Sequence, residues 1–396
     1  MKRLLKISFD LFIFSLVPVL TWFVLSILVN KNLINIFSLT YPIQFIWYIL
    51  TSIFSTGANI CKEKNKNNNA VISGFIIGAI FGAIIFGFLT LNADKYIEFM
   101  NMDVNTYLYF TKYSFILLYI QLLLAFILNK LYYEGKNTLA NLYSFSFNLI
   151  NFFTIITSIL ITKNIVISIY ITLIILALFI TIIILKSVNK FEFNFNLLDS
   201  IKYDSVDLFN NIAFFFIFLF GLSNAFNFGE QYITAITFIS LITDAQWDAF
   251  DAVAVSAKID ISRKDFNYIE HKKNAYKLLV ILLSFVCIMF IAFYNFYNLN
   301  LGITLIFLSF ELINFFIFPI YRLKTCYLQL EYSAVITTAN KVFSNILRMF
   351  LSLIKTPYCT GIAQVTTSLY EFFSINIIFN KNFKFDKNGN IIKKHI

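Results

Sequence analysis

Several residue types that carry enzyme chemistry are scarce or isolated in this sequence. It has only two histidines, His271 and His395, and its four cysteines, Cys61, Cys287, Cys326 and Cys359, stand singly. With no C-x-x-C pair, neither a zinc site nor a disulfide framework is expected. No G-x-S-x-G, H-E-x-x-H or Walker loop occurs, which argues against a hydrolytic or nucleotide-driven enzyme. No metal and no organic cofactor are expected. Charge is scarce too: Asp, Glu, Lys and Arg make up 13% of 396 residues, against 59% hydrophobic ones, and mean hydropathy is +0.77. A soluble chain of this length could not bury that much apolar surface and stay monodisperse, so the composition selects a bilayer protein.

What the sequence does contain is long apolar runs. A membrane helix needs roughly 20 mainly apolar residues, and twelve runs meet that need: 9–29, 34–59, 70–90, 105–129, 139–161, 164–185, 205–227, 231–256, 275–295, 299–321, 333–354 and 358–380. They are too long for barrel strands and lack period-2 alternation. The first run is longer than a signal-peptide core and no A-x-A site follows it, so it reads as the first span. The expected fold is therefore an all-α membrane protein of about twelve transmembrane helices.

Lys and Arg prefer cytoplasmic loops, and twelve spans sort them cleanly. One set of loops, together with both termini, holds most of them, including Lys258, Arg263, Lys264, Lys272, Lys273 and Lys277 after span 8, Arg322 and Lys324 after span 10, and Lys381, Lys384, Lys387, Lys393 and Lys394 in the tail. The opposite loops hold Lys31, Lys95, Lys163 and Lys355. Both termini are expected in the cytoplasm of a multi-pass cell (plasma) membrane protein. The net charge of +10 then reports orientation rather than nucleic-acid binding.

The polar stretch near the midpoint divides the chain into an expected N-terminal six-helix lobe (1–186), a cytoplasmic linker (187–204), a C-terminal six-helix lobe (205–380) and a basic cytoplasmic tail (381–396). Spans 2 and 8 each leave the membrane into a short basic stretch and re-enter as spans 3 and 9. Two repeats of like orientation are pseudo-symmetric about the membrane normal, and transporters commonly place the substrate path between such repeats.

Intramembrane charge is concentrated in the second half, where an isolated charge at mid-bilayer costs roughly 2.5–3.5 kcal/mol on insertion scales. Asp244, Asp248 and Asp251 fall at i, i+4 and i+7 on one face of span 8. Lys341, Asn345 and Arg348 repeat that spacing on span 11, and Gln364, Ser368 and Glu371 on span 12. Three such stripes do not belong against lipid and should converge inside the C-terminal lobe. One reading is a structural salt-bridge network, a costly use of charge because buried ion pairs add little net stability. The other is a proton- or cation-responsive cluster. Carboxylates one turn apart cannot both ionise cheaply, and three acids against two bases leave one free to load and release a proton. Trp247 lies in the same turns, as a filler between helices or as a platform for a cationic or aromatic substrate.

Pro18, Pro42 and Pro319 can kink spans 1, 2 and 10. Gly74, Gly78, Gly82 and Gly87 in span 3 suggest close helix packing.

The layout resembles the multidrug and toxic compound extrusion (MATE) family, within the superfamily of multidrug, oligosaccharide-lipid and polysaccharide exporters. The local matches are STGANICKEKNKNNNA (55–70) after span 2, VAVSAKIDISRKDFNYIEHKKNA (253–275) after span 8, and YEGKNTLANLYSFSFNLIN (133–151) leading into span 5. The resemblance implies two six-helix bundles and places coupling acids in spans 1, 7 and 10. Glu311, near the centre of span 10, matches that pattern. Span 1 has no central acid, since Asp10 lies at its edge, and span 7 offers Asn210, Asn211 and Asn224 with only Asp207 at its edge. The expected function is secondary active export of amphipathic or cationic organic compounds by H+ or Na+ antiport through a cleft between the lobes, by a monomer in the lipid bilayer and without nucleic acid. The alternative is a flippase for a lipid-linked oligosaccharide or other anionic lipid, with Lys341 and Arg348 holding phosphate.

Overall fold

The structure, a computed structural model, describes residues 2–65, 70–187, 196–203, 205–262, 264–386 and 389–394. His395, Lys66, Lys190, Arg263, Lys387 and most of the midpoint linker lie outside the described residues.

The chain is helical almost throughout. Its order is α1 (Lys2–Leu28), a 3-10 turn (Lys31–Asn35), α2 (Ile36–Thr51), a π turn (Ser52–Thr56), α3 (Gly57–Asn65), α4 (Ala70–Leu91), α5 (Ala93–Phe99), α6 (Val104–Tyr133), α7 (Asn137–Thr162), α8 (Ile165–Ser187), α9 (Leu197–Tyr203), α10 (Ser205–Phe226), α11 (Glu230–Ser262), α12 (Tyr268–Phe293), α13 (Leu301–Glu331), α14 (Ala334–Ser352) and α15 (Cys359–Asn382). The chain ends in a hairpin of β1 (Phe383–Phe385) and β2 (Ile391–Lys393). Starts are set by side-chain caps: Asp103 accepts from Thr106 N before α6, Asn267 from Glu270 N before α12, Asn300 from Ile303 N before α13, and Ser333 from Ile336 N before α14. Each supplies an acceptor to a backbone N–H that the helix cannot satisfy itself.

Twelve long helical passes result, six on either side of the 187–204 stretch, counting the 3-10 turn, α2, the π turn and α3 as one. Eight of them are long and apolar enough to cross a membrane on composition alone. None of α11, α14 and α15, which carry the polar stripes, is among these eight. Pro42 leaves α2 unbroken, and the irregularity of that pass sits ten residues later at the π turn.

The chain divides into two compact units, one of Leu20–Leu219 and one of Met1–Val19 with Phe220–Ile396. The cuts fall inside α1, one residue past Pro18, and inside α10. In the first unit α6 is the central helix, packed on α2, α4, α7 and α8. A Cβ at Gly78 would come within 2.6 Å of Phe126 and Phe54, and one at Gly82 within 2.5 Å of Leu122, so these glycines let α4 and α6 approach closely. Gly87 has open space around it and takes no part in that packing. In the other unit α13 is central, packed on α11, α12, α14 and α15. An apolar core of Ala249, Phe250, Val253, Leu278, Leu282 and Phe315 joins α11, α12 and α13.

Two expectations change. Arg322 and Lys324 do not lie in a loop, because α13 runs on to Glu331. Within the expected tail, β1 and β2 pair as a hairpin that packs against α12, α13 and α15.

Candidate functional site

The polar stripes of the C-terminal unit meet around α13. Small residues make this possible: Ala245, Ala249 and Ala252 on α11 are buried, which keeps the helix close to its neighbours. Trp247 fills the space this leaves. Its indole stacks on Phe315 with centroids 4.1 Å apart and meets Phe318 edge-on at 5.4 Å. It is thus packed as a filler, and its one polar atom has a specific partner: Nε1 donates to Glu311 Oε2 at 2.8 Å. Gln364 Nε2 on α15 donates to the same oxygen at 3.4 Å.

Glu311 is therefore held by two neutral donors. Arg348 is the cation that influences it electrostatically, and no ion pair involves Glu311 among the described residues. Asp244, half-buried on α11, lies within electrostatic reach of both Glu311 and Asp248. Among the described residues its carboxylate forms neither a hydrogen bond nor an ion pair. Asp248 and Asp251, one and two turns further along, are exposed.

Glu371 is arranged differently. Lys341 Nζ donates to its Oε1 at 2.8 Å and Ser344 Oγ donates to the same atom at 2.7 Å. This is a one-to-one ion pair with a neutral helper, and it joins α14 to α15.

Arg322 adds a third cation to Lys341 and Arg348. It stands eleven residues after Glu311, three helical turns along nearly the same face of α13. Its guanidinium lies 5.9 Å from the Phe318 centroid, and Asp251 and Glu371 are the acids within its electrostatic reach. Its Nε has no hydrogen-bond partner among the described residues. Next to it Tyr321 shares a hydrogen bond with Ser368 of α15. Arg322 was readable as a loop cation only because the apolar run fades at residue 321. The eleven-residue spacing from Glu311 was the signal that it belongs to the helix. Ser344, on the same helix face as Lys341, is the other group that the stripe pattern left out.

Asn210 and Asn211 lie on α10 within Leu20–Leu219 and are half-buried. Among the described residues no group of three or more His, Cys, Asp or Glu side chains is placed to hold a metal ion.

No protein-family model and no curated protein sequence matches this chain. Solved structures do. A MOP superfamily transporter from Pyrococcus furiosus, described by a binding pocket of reverse polarity that suggests a different function, matches with a TM-score of 0.66, covering 95% of each chain at 13% identity. An outward-facing MATE transporter of the MOP superfamily matches at 0.65 over 96% of each chain, also at 13% identity. A MATE protein in complex with MaD3S matches at 0.63 over 96% of each chain at 15% identity. The chain therefore has the fold of the MOP superfamily transporters. Within that class it is the twelve-helix MATE fold of a multi-pass membrane protein.

Proposed function

We propose that this protein is a secondary active transporter of the cell membrane that exports amphipathic or cationic organic compounds in exchange for H+ or Na+, as a monomer with cytoplasmic termini. The observation that carries the proposal is the state of Glu311. It is a membrane-depth carboxyl on the central helix of its unit, next to a second carboxyl at Asp244 and held by neutral donors. Adding a proton or a small cation to such a group breaks no ion pair, whereas the same change at Glu371 would cost its bond to Lys341. Coupling is assigned to Glu311 and Asp244, with Arg348 tuning them. Neutralising that pair removes like-charge repulsion between α11 and α13, which shifts the balance between alternate packings of these helices and hence between states.

The test is efflux of ethidium from a strain lacking its drug pumps, with the proton or the sodium gradient collapsed in turn. Wild-type efflux should depend on one gradient. Glu311→Gln and Asp244→Asn should each reduce that dependence by about tenfold or more at unchanged protein level. Gradient-dependent efflux that survives unaltered in both variants overturns the site.

A second reading rests on Arg322. Three cations at membrane depth on α13 and α14 suit a lipid phosphate. Movement of an anionic lipid lost in Arg322→Gln, in a protein that moves no ethidium, would replace the first reading with this one.

A further inference from the structure

We infer that the C-terminal hairpin is a membrane-surface element that binds the anionic headgroups of the adjoining lipid leaflet. Its position follows from its neighbours. β1 begins at Phe383, directly after the last residue of α15, so no linker lets it leave the bilayer surface. The turn of the hairpin is fixed to the start of another span, since Tyr268 N, the first residue of α12, donates to Gly389 O at 3.2 Å. A β-carbon at Gly389 would come within 2.8 Å of Ile269, and its φ of +85° suits glycine, so the close approach is specific to this residue.

One side of the hairpin is glued to the helices. Phe385 stacks on Tyr268 at 4.5 Å, and Phe383 packs edge-on against Tyr327 at 5.3 Å. Beneath them the Lys324 ammonium lies 4.9 Å from the Phe379 centroid and 5.6 Å from that of Phe385, and it donates to Asn376. This buried cation over aromatic faces ties the hairpin to α13.

The other side is exposed. Lys384 sits opposite Ile392 in the register, both point away from the packed phenylalanines, and Ile392 is 43% exposed. Lys393 pairs with Phe383 in the register and so belongs to the packed side, yet it is exposed, as are Lys381 at the end of α15 and Lys273 and Lys277 on α12. The acid of the hairpin is already engaged, because Asp386 accepts from Asn390 N and Nδ2 inside the turn. Asp265, Glu270 and Glu331 are the exposed acids at the neighbouring helix ends. A hairpin that exposes Lys384, Lys393 and Ile392 next to the helix end at Lys381, and that is tied to the start of α12, is complementary to anionic lipid. Each lysine near such a surface contributes about 1 kcal/mol, roughly fivefold in affinity, at low ionic strength.

The inference needs only the membrane fold and stands apart from the transport reading. The test uses the full protein in nanodiscs of phosphatidylcholine with or without phosphatidylglycerol. Phosphatidylglycerol retained per protein is measured by native mass spectrometry, and the unfolding midpoint is followed alongside. The wild type should retain phosphatidylglycerol and gain stability from it, and both effects should fall with salt. Lys381→Gln/Lys384→Gln/Lys393→Gln should lose roughly a hundredfold in retention while its midpoint in pure phosphatidylcholine stays unchanged. Lys130→Gln/Lys136→Gln, at a basic turn of the other unit, should retain lipid as the wild type does. Equal retention in the triple variant overturns the inference. A midpoint that drops in pure phosphatidylcholine with retention preserved makes the hairpin a structural clasp and overturns it as well.

Discussion

The two compact units satisfy their buried polar groups by different means. In Leu20–Leu219 the pairs are neutral: Asn35 Nδ2 donates to Tyr107 at 3.1 Å, Tyr113 donates to Asn151, Asn129 Nδ2 donates to Ser55 Oγ at 3.1 Å, and Tyr96 donates to the Leu39 carbonyl at 2.7 Å. In the unit around α13 the polar contacts instead include the carboxylates of Glu311 and Glu371, the ammonium of Lys341 and the guanidinium of Arg322. Neutral hydroxyl–amide pairs fix helices without changing state between pH 5 and 8. Carboxyl groups held by neutral donors can change state. On the proposed function, the first unit would serve as a frame and the second would carry the coupling groups.

The comparison breaks if function is lost equally from either unit. The largest expected effect is on transport: Glu311→Gln removes gradient-coupled efflux while leaving the amount of folded protein unchanged, measured by efflux against quantitative blotting. Next comes Lys341→Ala, which strands Glu371 as a buried carboxylate and, because Lys341 itself is partly exposed and screened, should cost about 1–3 kcal/mol. Its unfolding midpoint should recover in the Lys341→Ala/Glu371→Gln double variant, and the absence of recovery would show that the pair is not the cause. In the other unit, Asn151→Ala leaves the Tyr113 hydroxyl without its acceptor and should cost about 1–3 kcal/mol in thermal unfolding with gradient dependence intact. Gly78→Ala should cost about 1–3 kcal/mol by pressing into Phe126 and Phe54, whereas Gly87→Ala, with open space, should be neutral or slightly stabilising; similar midpoints for the two would sink the packing assignment.

The smallest expected effect lies at the end of α6. Partial burial would raise the Glu134 carboxyl, but the hydrogen bond from Lys136 and the charges of Lys130 and Lys136 outweigh it and hold the group below its ordinary value. A carboxyl lowered on folding contributes stability above its unfolded value, and that contribution is lost as pH falls through the carboxylate range below about 4.3. Glu134→Gln should therefore cost under about 1 kcal/mol at pH 7 and nothing at pH 3, which thermal melts at the two pH values can check.

Much of the helix layout was legible in the residues. The apolar runs and their lysine-rich loops place the twelve passes, and the seven-residue stripes on α11, α14 and α15 point to the packing around α13. Less legible were the features set by partners distant in sequence. Arg322 and Lys324 look like loop residues until their neighbours are known. Lys324 is tolerated in a helix because three aromatic rings and Asn376 surround it, and those come from α12, α15 and β1. The hairpin was invisible because three-residue strands carry almost no periodicity. The difference between Glu311 and Glu371 was equally hidden, since both are single acids in apolar helices.

The sequence by itself determined that this is an apolar, helical chain of the membrane-protein type, how many long helical passes it makes, and which helices carry charge. These follow from local hydropathy and helical spacing, which involve no other part of the chain. Only the tertiary structure decided which acid is locked to a lysine and which is left among neutral donors, because ionic partners are chosen by packing between helices remote in sequence.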